Sequence, residues 1–285
     1  MPLQQLVEYF NDRIERERLS SFRPFKLIDN RVFGWFGPLH VSSQLNGIHD
    51  MRKPEKMLGY SAICQVFNLE QEIFNTSELD QLLKHQPADL AQSESVIQFD
   101  RLTRTVHMLN YLPYSHEADL LFLDVDPRHI LGVKSDHGAY FEEIINRCGL
   151  ATHQVVITLS VHGVYSRFYQ TLLKGLSNYQ QRGYKIAIKL EQAGIEKLSL
   201  DFIARAGANF VGLSASGLDR IRPEIIQHKV ALLQSTSRQV DAKHYVFNCD
   251  EYPINNPLFN HFDYWQNNQA VGSDYQNTRV LKRCS

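Results

Sequence analysis

The sequence predicts an α/β fold, a TIM-type (β/α)8 barrel with an antiparallel first strand, from three observations. From about residue 118 onward, short runs rich in Val, Ile and Leu recur at intervals of roughly 25 to 35 residues. Amphipathic stretches of helical period lie between them. The candidate strands come to eight, an alternation that suits a closed barrel rather than an open doubly wound sheet.

The elements follow in chain order. An opening helix carries Leu3, Leu6, Val7, Phe10 and Ile14 on one stripe opposite the charges of Arg13, Glu15, Arg16, Glu17 and Arg18, a stripe better suited to core packing than to a partner. Phe22 to Ile28 and Arg31 to Phe36 flank Asp29-Asn30, a turn pair, and predict an antiparallel hairpin that supplies the first two strands. The stretch from about residue 41 to 95 breaks the rhythm. It is polar around Pro54, Gly59 and Pro87, with a short helix starting near Thr76-Ser77-Glu78, and is expected to be an insertion in a single barrel domain covering residues 1–285. The strands that follow are Leu120 to Val125, Val155 to Leu159, Ile186 to Ile188, Phe210 to Leu213, His244 to Phe247 and Phe262 to Trp265. Their near-continuous apolarity fits parallel strands covered on both faces. Tyr140 to Cys148 and Phe168 to Tyr179 read as crossover helices.

Composition removes several function classes. Lys and Arg total 30 against 31 Asp and Glu, a net charge of −1, which leaves no electrostatic case for nucleic acid. The longest apolar runs are strand-sized and the amino end lacks the order of a signal peptide, so a cytoplasmic protein without a membrane span is expected. Cys64, Cys148, Cys249 and Cys284 form no C-x-x-C pair, and the histidines form no H-E-x-x-H, so no zinc or dithiol site is written locally.

Read in order, several segments carry a resemblance. They are Phe22-Arg23-Pro24-Phe25, Val32-Phe33-Gly34, Leu121-Phe122-Leu123-Asp124-Val125-Asp126-Pro127, Val155 to Ser160, Leu176 to Ala187, Asn209 to Ser214, His244 to Glu251 and Tyr264-Trp265-Gln266. Together they resemble the EAL domain family, the barrel enzymes of bacterial cyclic di-GMP hydrolysis, over nearly the whole chain. The first is similar to the family's F-Q-P-I strand, the second to the apolar-Gly lead into its E-x-L-x-R signature, and the third to its L-F-x-N-x-S-P strand. The resemblance implies the EAL kind of barrel and a setting in cyclic di-GMP signalling.

The departures from that family concern the chemistry. Counted from Gly34, the signature falls on Phe36-Gly37-Pro38-Leu39-His40, without its metal-binding Glu and phosphate-binding Arg. The family's Asn falls on Asp124, its strand Glu on Thr158, its Asp-Asp pair on Lys189-Leu190, its catalytic Lys on Gly212 and its later Glu on Phe247 or Asn248, while Pro24 and Gln266 match. Family hydrolysis needs two metal ions that clamp the phosphate and activate water, hence several convergent carboxylates. A pseudoenzyme is therefore expected, with no catalytic residue, no metal site and no cofactor; Mg²⁺ or Mn²⁺ belongs only to the enzyme alternative.

The candidate ligand-binding residues are Arg23, Asp124, Asp126, Lys189, Glu191, Ser214 and Gln266. Asp124 and Asp126 stand two apart on one strand and so share a face. They suit one divalent ion, or else Lys189 at a neighbouring strand end neutralises Asp124 as an ion pair. Arg23 stands where the family has a ligand-binding Gln and suits an anion or a salt bridge equally. The loop Gly212 to Gly217 reads either as backbone donors for a phosphate or as a plain Gly and Ser loop. Tyr245, Tyr252, Phe259, Phe262, Tyr264, Trp265 and Tyr275 cluster late, as core or as protein-interface anchors.

The expected function is a catalytically inactive regulatory or protein-binding module in cyclic di-GMP signalling, with a protein partner. A cyclic di-GMP receptor is one rival. A metal-dependent phosphodiesterase rebuilt around Asp124, Asp126, Lys189, Glu191 and Asp250 is another. A homodimeric scaffold using the Leu3 to Ile14 helix and the 41–95 stretch is the third.

Overall fold

Strand after strand, the apolar runs of the second half form the parallel sheet they predict, and two further strands arise where the sequence reads as loop. The computed structural model describes residues 2–18, 21–67, 93–133, 135–160, 163–191, 200–249, 251–253 and 256–270. Helix α1 (Leu3–Arg18) precedes strands β1 (Phe25–Ile28), β2 (Arg31–Phe36), β3 (Leu39–Asp50) and β4 (Met57–Phe67), then helix α2 (Ser93–Tyr111). The alternating half follows as β5 (Leu120–Asp124), α3 (Pro127–Gly132), α4 (Ala139–Arg147), β6 (Val155–Ser160), α5 (Tyr169–Gln181), β7 (Lys185–Leu190), α6 (Leu200–Arg205), β8 (Phe210–Ser214), α7 (Pro223–Gln239), β9 (Lys243–Cys249) and β10 (Tyr264–Ala270).

The sheet runs β1-β2-β3-β10-β9-β8-β7-β6-β5-β4, and β3 also pairs with β4, so β3 to β10 close an eight-stranded barrel. Neighbours from β4 round to β10 are parallel, whereas β3 is antiparallel to both β4 and β10. The fold is thus a TIM-type barrel whose first strand, β3, is antiparallel to both its neighbours.

The hairpin forms where the turn pair predicts it, with Asp29 and Asn30 both at positive φ (47° and 61°), the conformation of a two-residue turn that matches strand twist. It does not supply the first two barrel strands, however. It is appended to the outer part of β3, and β3 and β4 take those places. The expected insertion is therefore corrected over residues 41–67. The physical reason is the burial pattern: Ser42, Asn46 and Ser61 are buried and face the barrel interior, so these strands lack the near-continuous apolarity that marks the later ones. The predicted helix near Thr76 lies outside the described residues.

Two cores result. Inside the barrel, Ile48, Leu120, Phe122, Val156, Ala187, Phe210, Tyr245 and Phe247 fill the cross-section. Between sheet and helices lies the larger core, into which α1 buries Leu6, Val7 and Phe10, so its apolar stripe serves packing. Among the described residues, no helix is long and apolar enough to cross a membrane.

Candidate functional site

Side chains alternate across a strand, so the residues next to the inner core continue up the inner face to the carboxyl ends of the parallel strands. Leu123 and Val125 lie in the outer core, which places Asp124 inside; the same alternation places Thr158, Lys189, Gly212, Ser214 and Gln266 inside on β6, β7, β8 and β10. These positions line the mouth of the barrel.

One ion pair dominates it. Lys189 Nζ donates to both carboxylate oxygens of Asp124, at 2.8 and 3.0 Å, and stands 5.3 Å from the centre of the Phe247 ring. The lysine side chain is 8% exposed and the aspartate 54%, so the charge is drawn inward from the lysine side while the carboxylate stays wet. Tyr245 crosses the barrel beside them. A Cβ at Gly212 would lie 2.4 Å from Tyr245 Cζ, so only glycine admits the ring. Burial, helped by the Asp124 charge, holds the Tyr245 phenol well above its ordinary value, and its hydroxyl has no hydrogen-bond partner among the described residues.

Elsewhere the mouth is lined by amides and hydroxyls. Gln65 Nε2 donates to Gln44 Oε1, and Gln44 Nε2 donates to Asn46 Oδ1 and to the Asn268 carbonyl. Ser214 Oγ accepts from Asn248 Nδ2 and from the Ser216 N–H. Gln266 and Thr158 are buried, and Gln266 Oε1 and Thr158 Oγ1 lack a partner among the described residues.

The sequence-derived candidates separate in space. Asp124 and Lys189 meet as the ion-pair reading requires, and Ser214 and Gln266 line the same mouth. Arg23 does not: it is bound by Glu8, Asp12 and Glu15 of α1 at 2.5, 2.7 and 2.8 Å, because its strand belongs to the appended hairpin. Asp126 is corrected as well. It lies past the end of β5 and caps α3, accepting from the Arg128 N–H at 2.8 Å and pairing with the Arg128 guanidinium at 2.6 Å, so it does not converge with Asp124. Glu191 follows β7 and is exposed. Asp250 lies outside the described residues.

The topology also moves the signature position. The strand that leads the parallel run is β4, and its apolar-Gly pair is Leu58-Gly59, so the E-x-L-x-R places fall on Ser61, Ile63 and Gln65 rather than on Phe36 to His40. Ser61 is buried and opposite Asn46 in register. The missed signal was Gly59 itself, whose Cβ would strike the Leu120 carbonyl at 2.3 Å, a close approach of strands that only glycine allows.

This donor set does not fit a pair of divalent metal ions. Among the described residues of the mouth, Ser61 and Thr158 offer hydroxyls, and the ammonium group of Lys189 is already bonded to the carboxylate of Asp124. Among the described residues, no three His, Cys, Asp or Glu side chains are grouped to hold a metal.

No described protein family matches the sequence, and no curated protein matches it. Solved structures do match. The YkuI protein of Bacillus subtilis, which has an EAL domain and was solved with substrate c-di-GMP and calcium, is 20% identical over 85% of this chain and 58% of its own, with a TM-score of 0.57. BlrP1 of Klebsiella pneumoniae, a manganese and cy-diGMP complex, is 15% identical over 80% of this chain and 54% of its own, with a TM-score of 0.62. The EAL enzyme Bd1971, with cAMP and cyclic-di-GMP bound, is 12% identical over 100% of this chain and 70% of its own, at a TM-score of 0.58. The chain spans just over half the length of the first two. The barrel is the EAL-domain fold.

Proposed function

We propose that this barrel is a non-catalytic, cytoplasmic module of cyclic di-GMP signalling that acts through contacts with a partner protein. The observation that carries this reading is the bond from Lys189 to Asp124 at the strand ends. Phosphodiester hydrolysis on two metal ions asks that corner for converging anions, and a buried ammonium group there repels a divalent cation. The amide and hydroxyl groups at Gln44, Asn46, Ser61, Gln65 and Thr158 neither bind a metal tightly nor gain or lose a proton near neutral pH. The signalling setting is supported by the fold shared with structures solved with the cyclic dinucleotide.

The test is a calorimetric titration of the full chain with cyclic di-GMP, with and without Mg²⁺ or Mn²⁺, followed by chromatography for the linear dinucleotide. The expected outcome is no product and no metal-dependent heat. Product formation overturns the reading; binding without product, in either condition, makes the barrel a receptor and moves the signalling role to the nucleotide.

A further inference from the structure

Helix α3 has only six residues, too few to be stable alone, and it follows directly on the end of β5 that carries Asp124. What fastens it is a buried charge cluster on α2. Arg104, Asp100 and His129 are 2%, 7% and 4% exposed. The Arg104 guanidinium stands 2.5 Å from Asp100 Oδ2, lies 5.0 Å from the centre of the Phe141 ring of α4, and donates to the Tyr179 hydroxyl of α5 at 3.4 Å. The other Asp100 oxygen accepts the Asp126 N–H at 3.2 Å, two residues beyond Asp124. His129 of α3 completes the cluster, with Nδ1 3.0 Å from Asp100 Oδ2 and Nε2 3.2 Å from Arg104 Nη2.

These two distances fix the histidine's proton. A guanidinium only donates, so the Nε2 that faces it is the acceptor, and the single ring proton sits on Nδ1 towards the carboxylate. In that state the cluster holds one cation and one anion. A second proton would go on Nε2, take the acceptor from Arg104 and set two cations 3.2 Å apart in a dry site. Burial, together with the Arg104 and Arg101 charges, accordingly holds this imidazole below the ordinary 6.5, against the pull of Asp100.

The groups around His129 keep their charge between pH 7.5 and pH 5, with one exception. Against burial, Arg104 and His129 hold Asp100 at about 2; burial keeps His107 neutral, at about 3, and raises Tyr179 and Tyr184. The arginines are cationic throughout, and Arg128 is paired with Asp126. The exception is His137, just before α4. Its Nε2 donates to the Ile130 carbonyl of α3 at 2.8 Å and its Nδ1 accepts from Asn178 Nδ2 at 3.0 Å, so it too has a proton to gain.

We propose that the contact between His129 and Arg104 is an acid-labile latch: one proton on His129 releases α3 from α2 and frees the joint between β5 and α3 while the barrel stays closed. Because Asp100 also holds the Asp126 N–H, the release reaches the strand end that presents Asp124 to the mouth.

The experiment is hydrogen exchange with mass spectrometry on the full chain at pH 7.5 and pH 5, corrected for the intrinsic pH dependence of exchange. A released histidine titrates near 6.5 and a latched one refuses the proton, so the opening equilibrium of residues 125–133 is expected to rise by up to about thirtyfold between these pH values. Strands β6 and β7 are expected to keep their protection. His129→Gln retains an acceptor for Arg104 and a donor for Asp100 but cannot titrate, and its 125–133 segment is expected to exchange equally at both pH values. His137→Gln is expected to behave as the natural chain. Acid-induced opening that persists in His129→Gln, or that spreads equally to β6 and β7, overturns the proposal, as does unchanged exchange of the natural chain. A histidine ¹⁵N spectrum of the natural chain at pH 7.5 decides independently of how the variants fold: a proton on His129 Nδ1 alone is expected, and a proton on Nε2 overturns the latch.

Discussion

The buried histidine of α2 gives the fold a measurable acid sensitivity. His107 is 3% exposed, and its Nδ1 lies 2.7 Å from Ser43 Oγ on β3. Asn110 Nδ2 donates to that same Ser43 oxygen at 3.2 Å, which leaves the serine hydroxyl proton for the histidine and fixes Nδ1 as an acceptor. Protonating the ring would break this bond in a dry site. Burial accordingly pushes its pKa down from 6.5 to about 3, with the nearby Arg104 acting in the same direction and Asp100 against it. A depressed pKa means that the unfolded chain takes up a proton that the folded chain refuses. The stability from neutral His107 is full above pH 6.5 and is lost progressively as the pH falls from there towards 3. At pH 4.5 the loss is two pH units' worth, roughly 3 kcal/mol. The assay is urea unfolding from pH 7 to pH 4.5 for the natural chain and for His107→Gln, whose amide oxygen still accepts from Ser43. Whatever the substitution costs at pH 7, the natural chain is expected to lose roughly 3 kcal/mol more than the variant across that range. Parallel curves would refute the argument.

Two further perturbations test the packing that shapes the mouth. Asp100 is buried against Arg104 at 2.5 Å and His129 at 3.0 Å, and these partners hold its carboxyl at about 2 despite burial, so Asp100→Asn strands a buried guanidinium and is expected to cost about 3 to 5 kcal/mol in chemical unfolding at pH 7. Gly212→Ala forces a methyl group into the Tyr245 ring and is expected to cost about 1 to 3 kcal/mol; in combination with Tyr245→Leu most of that cost disappears, and strict additivity of the two substitutions in unfolding measurements would show that the ring and the glycine do not touch.

How much of this was legible in the sequence depended on which face of each strand is dry. β5 to β9 are apolar on both faces, so a run such as Val155-Val156-Ile157 announces itself. On β3 and β4 the outer residues Val41, Leu45, Tyr60 and Ala62 are core, but Ser42, Asn46 and Ser61 alternate with them on the interior face, and their polarity reads as loop until the barrel is closed. Helix α2 was hidden for a related reason: Val96, Phe99, Leu102, Val106 and Leu109 mark a stripe, yet Asp100, Arg104 and His107 are buried too and blur it. At the site, the facing of Asp124 and Lys189 followed from strand-end position alone, whereas Arg23 was assigned to the mouth because its strand was assigned to the barrel. The three acids of α1 that hold Arg23 are 8 to 15 residues away, and no local pattern announces their convergence.

The separation of layers lets the fold and the polar residues at the strand ends vary independently. Ile48, Leu120, Phe122, Val156, Ala187 and Phe210 fill the interior with apolar volume, and the polar positions above them add little to that packing. Exchanging an acid for Thr158 or Lys189 there leaves the lower layer untouched, so fold and chemistry separate along each strand. Tyr245 is the exception that joins the layers. It packs on Phe122 below, crosses Gly212, and approaches the Asp124 charge above, so the centre of the mouth is filled by the protein's own ring and ion pair.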